Sequence, residues 1–292
     1  MNIMISGASG FVGRDIVQNL SKSNKIIAIY RTKNKNLKES KNITWIKHDL
    51  KDQFKKKLKP IPKVIIHCVA AHELSRKKNS QDYFESNVIS LKNIIDYAEN
   101  NKINMIINLS TVSVYATIEK NVLKENYQPR KQNLLGMTKL LAEKMLNEQK
   151  VNYVNIRLPG ILCIPNVRNM LRPWLNQVFN RIYNNQKVQV YNLRGKFNNV
   201  IDTDEITNFI EFLIKKKIKI RDTFNFACSK PIILSQVLKI AKSKLKSESK
   251  IIEVKDKKNN SFIISTKKLE KKLNYKTQST DRTIREYLEN FI

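Results

Sequence analysis

The apolar positions of this chain fall into two alternating rhythms through its first half. Short apolar, strand-like runs read as strands: Ile3-Met4-Ile5 in a strand starting at Asn2, then Lys25 to Tyr30, Val64 to Cys68, Met105 to Leu109 and Val151 to Leu158. Other stretches repeat their apolar residues every three to four positions and read as amphipathic helices, namely the one carrying Ile16, Val17 and Leu20, then Asp82 to Asn100 and Leu134 to Gln149. Strands alternating with helices build βαβ units with a parallel sheet. The expected fold is therefore α/β, a doubly wound parallel sheet of Rossmann type. Beyond about Pro159 the rhythm loosens into Trp174 to Asn184, Val188 to Tyr191, Asp204 to Lys215, Ser235 to Leu245 and a last helix from about Asp281. This predicts a sheet domain over 1–160 and a smaller mixed domain over 161–292 at the carboxyl edge of the sheet, with some segments returning to it.

The junction of the first strand and first helix carries the most specific signal. Gly7-Ala8-Ser9-Gly10-Phe11-Val12-Gly13 is a strand, a glycine turn and a helix start. Glycines there let the backbone turn sharply, approach a pyrophosphate and pack helix on strand, while the first-turn N–H groups face the anion. Gly7, Ser9, Gly10, Phe11, Val12 and Gly13 are thus expected to bind a dinucleotide. The spacing is G-x-x-G-x-x-G, not the G-x-G-x-x-G of ordinary nicotinamide dehydrogenases. At the end of the second strand, where an acid would grip the ribose hydroxyls, stand Tyr30 and Arg31, with Lys33 and Lys35 close by. That arrangement favours NADP over NAD; the alternative is that Arg31 is one more surface cation.

Charge adds a question. Basic residues number 55 against 25 acidic ones, for a formal net charge of +30, in a chain crowded throughout with lysine, asparagine and isoleucine. Codon bias explains the lysines as well as selection does. A positive field would attract phosphorylated ligands and could hold nucleic acid nonspecifically, but no arginine-rich arm or zinc finger is present. Cys68, Cys163 and Cys228 lie far apart and suggest neither a disulfide framework nor a zinc site. His48 and His72 have no metal-ligand company. No run is long enough to span a membrane and the first strand leaves no room for a signal peptide, so a cytoplasmic enzyme is expected.

Further motifs follow: Asp49-Leu50, His67-Cys68-Val69-Ala70-Ala71, Leu109-Ser110-Thr111-Val112-Ser113-Val114-Tyr115, Gly136 through Glu143, Arg157-Leu158-Pro159-Gly160, Phe197 through Asp204, Phe224 through Ala227, Ser265 through Leu269 and Leu273-Asn274-Tyr275. In order and spacing the chain resembles, along its whole length, the extended short-chain dehydrogenase/reductase family, in particular its nucleotide-sugar epimerases, dehydratases and 4-ketosugar reductases. The resemblance implies hydride transfer at a sugar carbon in surface-polysaccharide synthesis, a nucleotide-sugar substrate, and a homodimer paired through the helices beginning near Asn87 and Leu135. It also implies cofactor contacts at Asp49, Leu50, Ala70 and Ala71.

In that family a Ser/Thr orients the substrate, a Tyr exchanges its proton, and a Lys binds the nicotinamide ribose and lowers the tyrosine's pKa. Thr111 falls at the hydroxyl position and Lys139 at the lysine position; the tyrosine position holds Leu135. Two other Y-x-x-x-K strings, Tyr127 to Lys131 and Tyr183 to Lys187, are set aside, the first because Pro129 argues against a helix through it and the second because it lies far from Thr111. Tyr127, in the loop before the helix, is a possible substitute acid. Relatives that dehydrate without the tyrosine use an Asp and a Lys where this chain has Val112 and Ser113. His67 reads as packed, and Asp202 and Asp204 as capping residues or partners of an arginine, not as a general base. A second reading remains, a catalytically silent binding protein: a cofactor sensor or a basic RNA-binding relative.

Overall fold

The computed structural model describes residues 1–32, 37–71, 79–116, 118, 120–128, 132–162, 174–254 and 261–291. Seven strands, β1 (Asn2–Ser6), β2 (Lys25–Tyr30), β3 (Ile43–Lys47), β4 (Val64–His67), β5 (Met105–Thr111), β6 (Asn152–Leu158) and β7 (Arg221–Asn225), form one sheet in the order β7-β6-β5-β4-β1-β2-β3. Pairing is parallel in β1–β2, β1–β4, β2–β3 and β4–β5. This is the expected doubly wound Rossmann-type sheet. Its order reverses at β1, where strands β2 and β4 lie on either side, and ligands of such sheets bind at the carboxyl ends beside that reversal.

Two strands escape the apolar pattern, each for a physical reason. β3 is an edge strand with no fully buried residue, so Thr44 and Lys47 break its apolar run. β7 opens with Arg221 and Asp222, and only Phe224 and Asn225 are buried.

Helices α1 (Phe11–Leu20), α2 (Ser80–Phe84), α3 (Ser90–Asn100) and α4 (Leu134–Asn147) belong to the unit that holds this sheet. Their apolar stripes meet the sheet; Leu91, Ile94, Ile95 and Leu146 pack with Met4, Ile65 and Ile106 in one buried core. The helix expected from Asp82 to Asn100 is interrupted: a π-helical turn, Glu85–Ile89, separates α2 from α3.

That first compact unit comprises Met1–Ala116, Pro129–Arg157 and Ile206–Phe224; the second comprises Thr117–Gln128, Leu158–Glu205 and Asn225–Ile292. The second contains α5 (Trp174–Tyr183), the start of α6 (Thr203–Lys215), α7 (Leu234–Lys244), α8 (Lys267–Leu273) and α9 (Thr280–Glu289). Two-stranded pairs join them, such as Gly160–Leu162 with Val200–Asp202 and Val188–Val190 with Ile251–Glu253. Phe179, Tyr287 and Phe291 cluster with ring centroids about 6 Å apart and dock α9. Among the described residues no helix is long and apolar enough to cross a membrane.

Candidate active site

The turn after β1 is built for close approach. Gly7 has φ 69°, and a Cβ there would stand 2.9 Å from the Cys68 carbonyl carbon. A Cβ on Gly13 would stand 2.3 Å from the Gly7 oxygen, so only glycine lets α1 lie against the turn. The Ala8 N–H donates to the Ile29 carbonyl at 3.0 Å, tying the turn to β2. Gly10 is the N-cap of α1; it offers no side-chain acceptor, and no acid stands in the first turn. The first-turn donors and the positive end of the helix dipole thus favour an anion.

A cavity of about 230 Å³ opens over this turn, and Gly7, Ser9, Gly10, Arg31, Asp49, Leu50 and Ala70 all line it. Phe11, Val12 and Gly13 form the first turn of α1, outside the lining. Ala71 is buried, and its N–H donates to Asn87 Oδ1 at 2.9 Å. Asn87 also donates to Thr138 Oγ1 at 2.9 Å, so the π turn that carries it joins the end of β4 to α4. Arg31, 60% exposed, faces Asp49 at 3.9 Å. Lys33 and Lys35 lie outside the described residues, as do His72, Pro129, Lys131 and Cys163. His48 lines the cavity and faces the Asp52 carbonyl at 3.1 Å.

Lys139 lies in α4, only 2% exposed, and donates to the Val69 carbonyl at 2.9 Å and the Leu109 carbonyl at 3.0 Å. Burial lowers its pKa to about 8, against the opposing pull of Cys68 and Glu143. Cys68 is pushed up to about 12 by burial. Thr111 ends β5; its hydroxyl accepts the Ser113 N–H at 3.1 Å and donates to Ser113 Oγ at 3.2 Å. Leu135, half-buried, stands one helical turn before Lys139. Gly136 is required beside it, because a Cβ would stand 2.2 Å from the Ser113 oxygen. Tyr127 belongs to the second unit, where Lys120 Nζ stands 5.6 Å from its ring centroid.

Tertiary structure adds groups that the sequence reading left without a role. Glu143, 2% exposed, accepts from Arg157 Nη2 at 2.7 Å and Nε at 3.1 Å, and from the Ser110 hydroxyl. Arg157 also donates to the Tyr115 hydroxyl at 2.9 Å and lies over its ring. The signal was a polar residue inside an apolar run, as at Ser110 and Arg157. His67 is fully buried, with Nδ1 2.8 Å from Ser6 Oγ and Nε2 3.3 Å from Ser90 Oγ. Burial, aided by Lys139, lowers its pKa well below 6.5 and keeps the ring neutral. In the second unit Asp202 caps α6, accepting the Glu205 N–H at 2.6 Å, and Tyr275 donates to Glu205 at 2.9 Å. Among the described residues no cluster of three or more His, Cys, Asp or Glu could hold a metal ion.

Residues 3–226 match the sequence model of the NAD dependent epimerase/dehydratase family. The chain belongs to that family. No curated protein matches the chain in sequence. Solved structures share the fold of this epimerase/dehydratase chain over nearly its whole length. The enzyme WbmG of Bordetella bronchiseptica in complex with NAD has a TM-score of 0.83 at 15% identity, covering 100% of this chain and 94% of its own. The UDP-N-acetylglucosamine 4-epimerase of Methanobrevibacter ruminantium M1, solved with UDP-N-acetylmuramic acid, gives 0.82 at 20% identity with coverages of 99% and 97%. The UDP-glucuronic acid 4-epimerase of Bacillus cereus, with NAD, gives 0.80 at 16% with coverages of 100% and 99%.

Proposed function

We propose that the chain is a nucleotide-sugar epimerase or 4-ketosugar reductase of surface-polysaccharide synthesis, working with a nicotinamide dinucleotide and with proton transfer altered by Leu135. The observation that carries this reading is the gathering of Gly7, Ser9, Gly10, Arg31, Asp49, Leu50 and Ala70 around one cavity at the N-terminus of α1. These residues fit the cofactor: the acid-free first turn offers donors to a pyrophosphate, and Gly7 admits close backbone approach. When bound, the nicotinamide supplies reversible two-electron oxidation of a sugar carbinol carbon.

The chain's own residues divide the remaining work. Lys139 spends two N–H donors on main-chain carbonyls and keeps one for a ribose hydroxyl. The Thr111 hydroxyl, held by Ser113, orients the substrate oxygen. Leu135 has no proton to give, and Tyr127 is the substitute donor in this reading.

Arg31 beside Tyr30 supports NADP, although Asp49 is a counter-charge that a 2′-phosphate must outcompete. The NAD complexes of WbmG and the UDP-glucuronic acid 4-epimerase support NAD. Calorimetry with NADPH and NADH on wild type and Arg31→Asp separates the two. Tighter NADPH binding that the substitution abolishes is the expected result, and equal affinities would assign NAD. The proposed dimer pairs α3 and α4 with their symmetry mates. Leu134, Met137 and Leu141 of α4 are 41%, 51% and 42% exposed and lie along one face.

A further inference from the structure

A groove of about 610 Å³ runs along α7 in the second unit, lined by Leu193, Leu238 and Ile251 and by Lys239, Lys242 and Lys246. The three lysines follow at intervals of three and four, which places them on one side of α7 and its C-terminal extension. Among the described residues none of the three has an ion-pair partner. Lys244, in the same last turn of α7, does have one: it pairs with Glu289. Among the described residues the lining sets one acid, Glu248, against the three lysines. Compensation of the helix dipole accounts for Lys242 and Lys244 in the last turn of α7, but not for Lys239 or for the alignment of the three.

The chemistry of the lining narrows the occupant. Among the described residues no aromatic ring lines the groove, so bases have nothing there to stack on. Among the same described residues no arginine lines it, so a phosphate meets the point charges of the lysines and not a planar fork. The partly exposed Leu193 and Ile251, with the lysine stems under their ammonium heads, match an acyl chain carrying a phosphate headgroup. We propose that the α7 groove docks this protein on an anionic phospholipid surface. This docking is independent of the catalytic reading, since no residue of the groove belongs to the cofactor cavity.

The test is co-sedimentation with phosphatidylglycerol/phosphatidylcholine vesicles and with pure phosphatidylcholine vesicles. Two charge-matched variants are compared, K239Q/K242Q/K246Q in the groove and K216Q/K217Q/K219Q at exposed positions following α6, both checked for unaltered thermal melting. Each lysine near an anionic bilayer strengthens binding by about fivefold, so the groove variant should lose about 100-fold and the control less than about threefold. Wild type should ignore pure phosphatidylcholine. Equal losses in the two variants would overturn the proposal in favour of diffuse charge. So would single-stranded RNA that displaces the protein from vesicles and itself depends on the groove lysines.

Discussion

A phenol at position 135 would lie one helical turn from Lys139, whose amino group burial brings down to about 8, and the positive charge would favour the phenolate. Leu135→Tyr is therefore expected to raise turnover of a nucleotide 4-ketosugar by roughly 10²-fold, measured as cofactor oxidation. An unchanged rate in that variant, with activity abolished in Tyr127→Phe, would assign the proton to Tyr127. His67 makes a separate prediction. Its folded pKa is depressed, so between that value and about 6.5 the unfolded chain binds a proton that the folded chain refuses. Stability attributable to His67 is intact above about pH 6.5 and falls by up to about 1.4 kcal/mol per pH unit below it. Urea midpoints of wild type and His67→Gln between pH 5 and 8 should diverge in slope on the acid side; parallel curves would show that His67 is not the titrating group.

Between elements, the buried pair of Glu143 and Arg157 does for α4 what backbone ladders do for the sheet. Glu143 stands one turn after Lys139 in α4, Arg157 in β6, Ser110 in β5 and Tyr115 in the short turn after it, so one network sets α4 against two strands and that turn. Removing one partner leaves the other charge desolvated and unpaired. Glu143→Ala should cost about 3–5 kcal/mol in urea unfolding, whereas Lys92→Ala, which breaks an exposed pair with Asp96, should cost less than about 1 kcal/mol. Similar losses in the two variants would contradict a structural role for the network. The π turn works on the same scale. By carrying Asn87 to Ala71 and Thr138 it couples the segment after β4, which lines the proposed cofactor cavity, to the helix that holds Lys139.

At the scale of the whole molecule, apolar side chains and net charge bear on association. A face that leaves Leu134, Met137 and Leu141 some 41 to 51% exposed is costly in water unless something covers it, and a second copy is the proposed cover. Sedimentation at micromolar concentration should give a dimer, and Leu141→Glu, which places charges against their mates across the two-fold axis, should give a monomer. A wild-type monomer would remove the dimer from this reading. The net charge of +30 makes low-salt binding to any polyanion unspecific, which is why the groove test rests on charge-matched variants.

The central strands could be read from the sequence because a parallel strand covered on both faces must be largely apolar, as in β1 and β4. The glycine turn was legible for a similar local reason: Gly7 and Gly13 answer to backbone geometry within a few residues, and only glycine satisfies it. The edge strand β3 and the charged start of β7 were not legible, since neither is covered enough to impose an apolar run. The π turn was also beyond the sequence, because Asn87 finds its partners 16 residues before it and 51 after it. The roles proposed for positions 111, 135 and 139 came from the family resemblance, which sets leucine at the position where the family has a tyrosine. What only the tertiary structure decided is the surroundings of those positions. Burial of Lys139 against two carbonyls, pairing of Glu143 with Arg157 and confinement of His67 between Ser6 and Ser90 all depend on distances that local sequence does not encode.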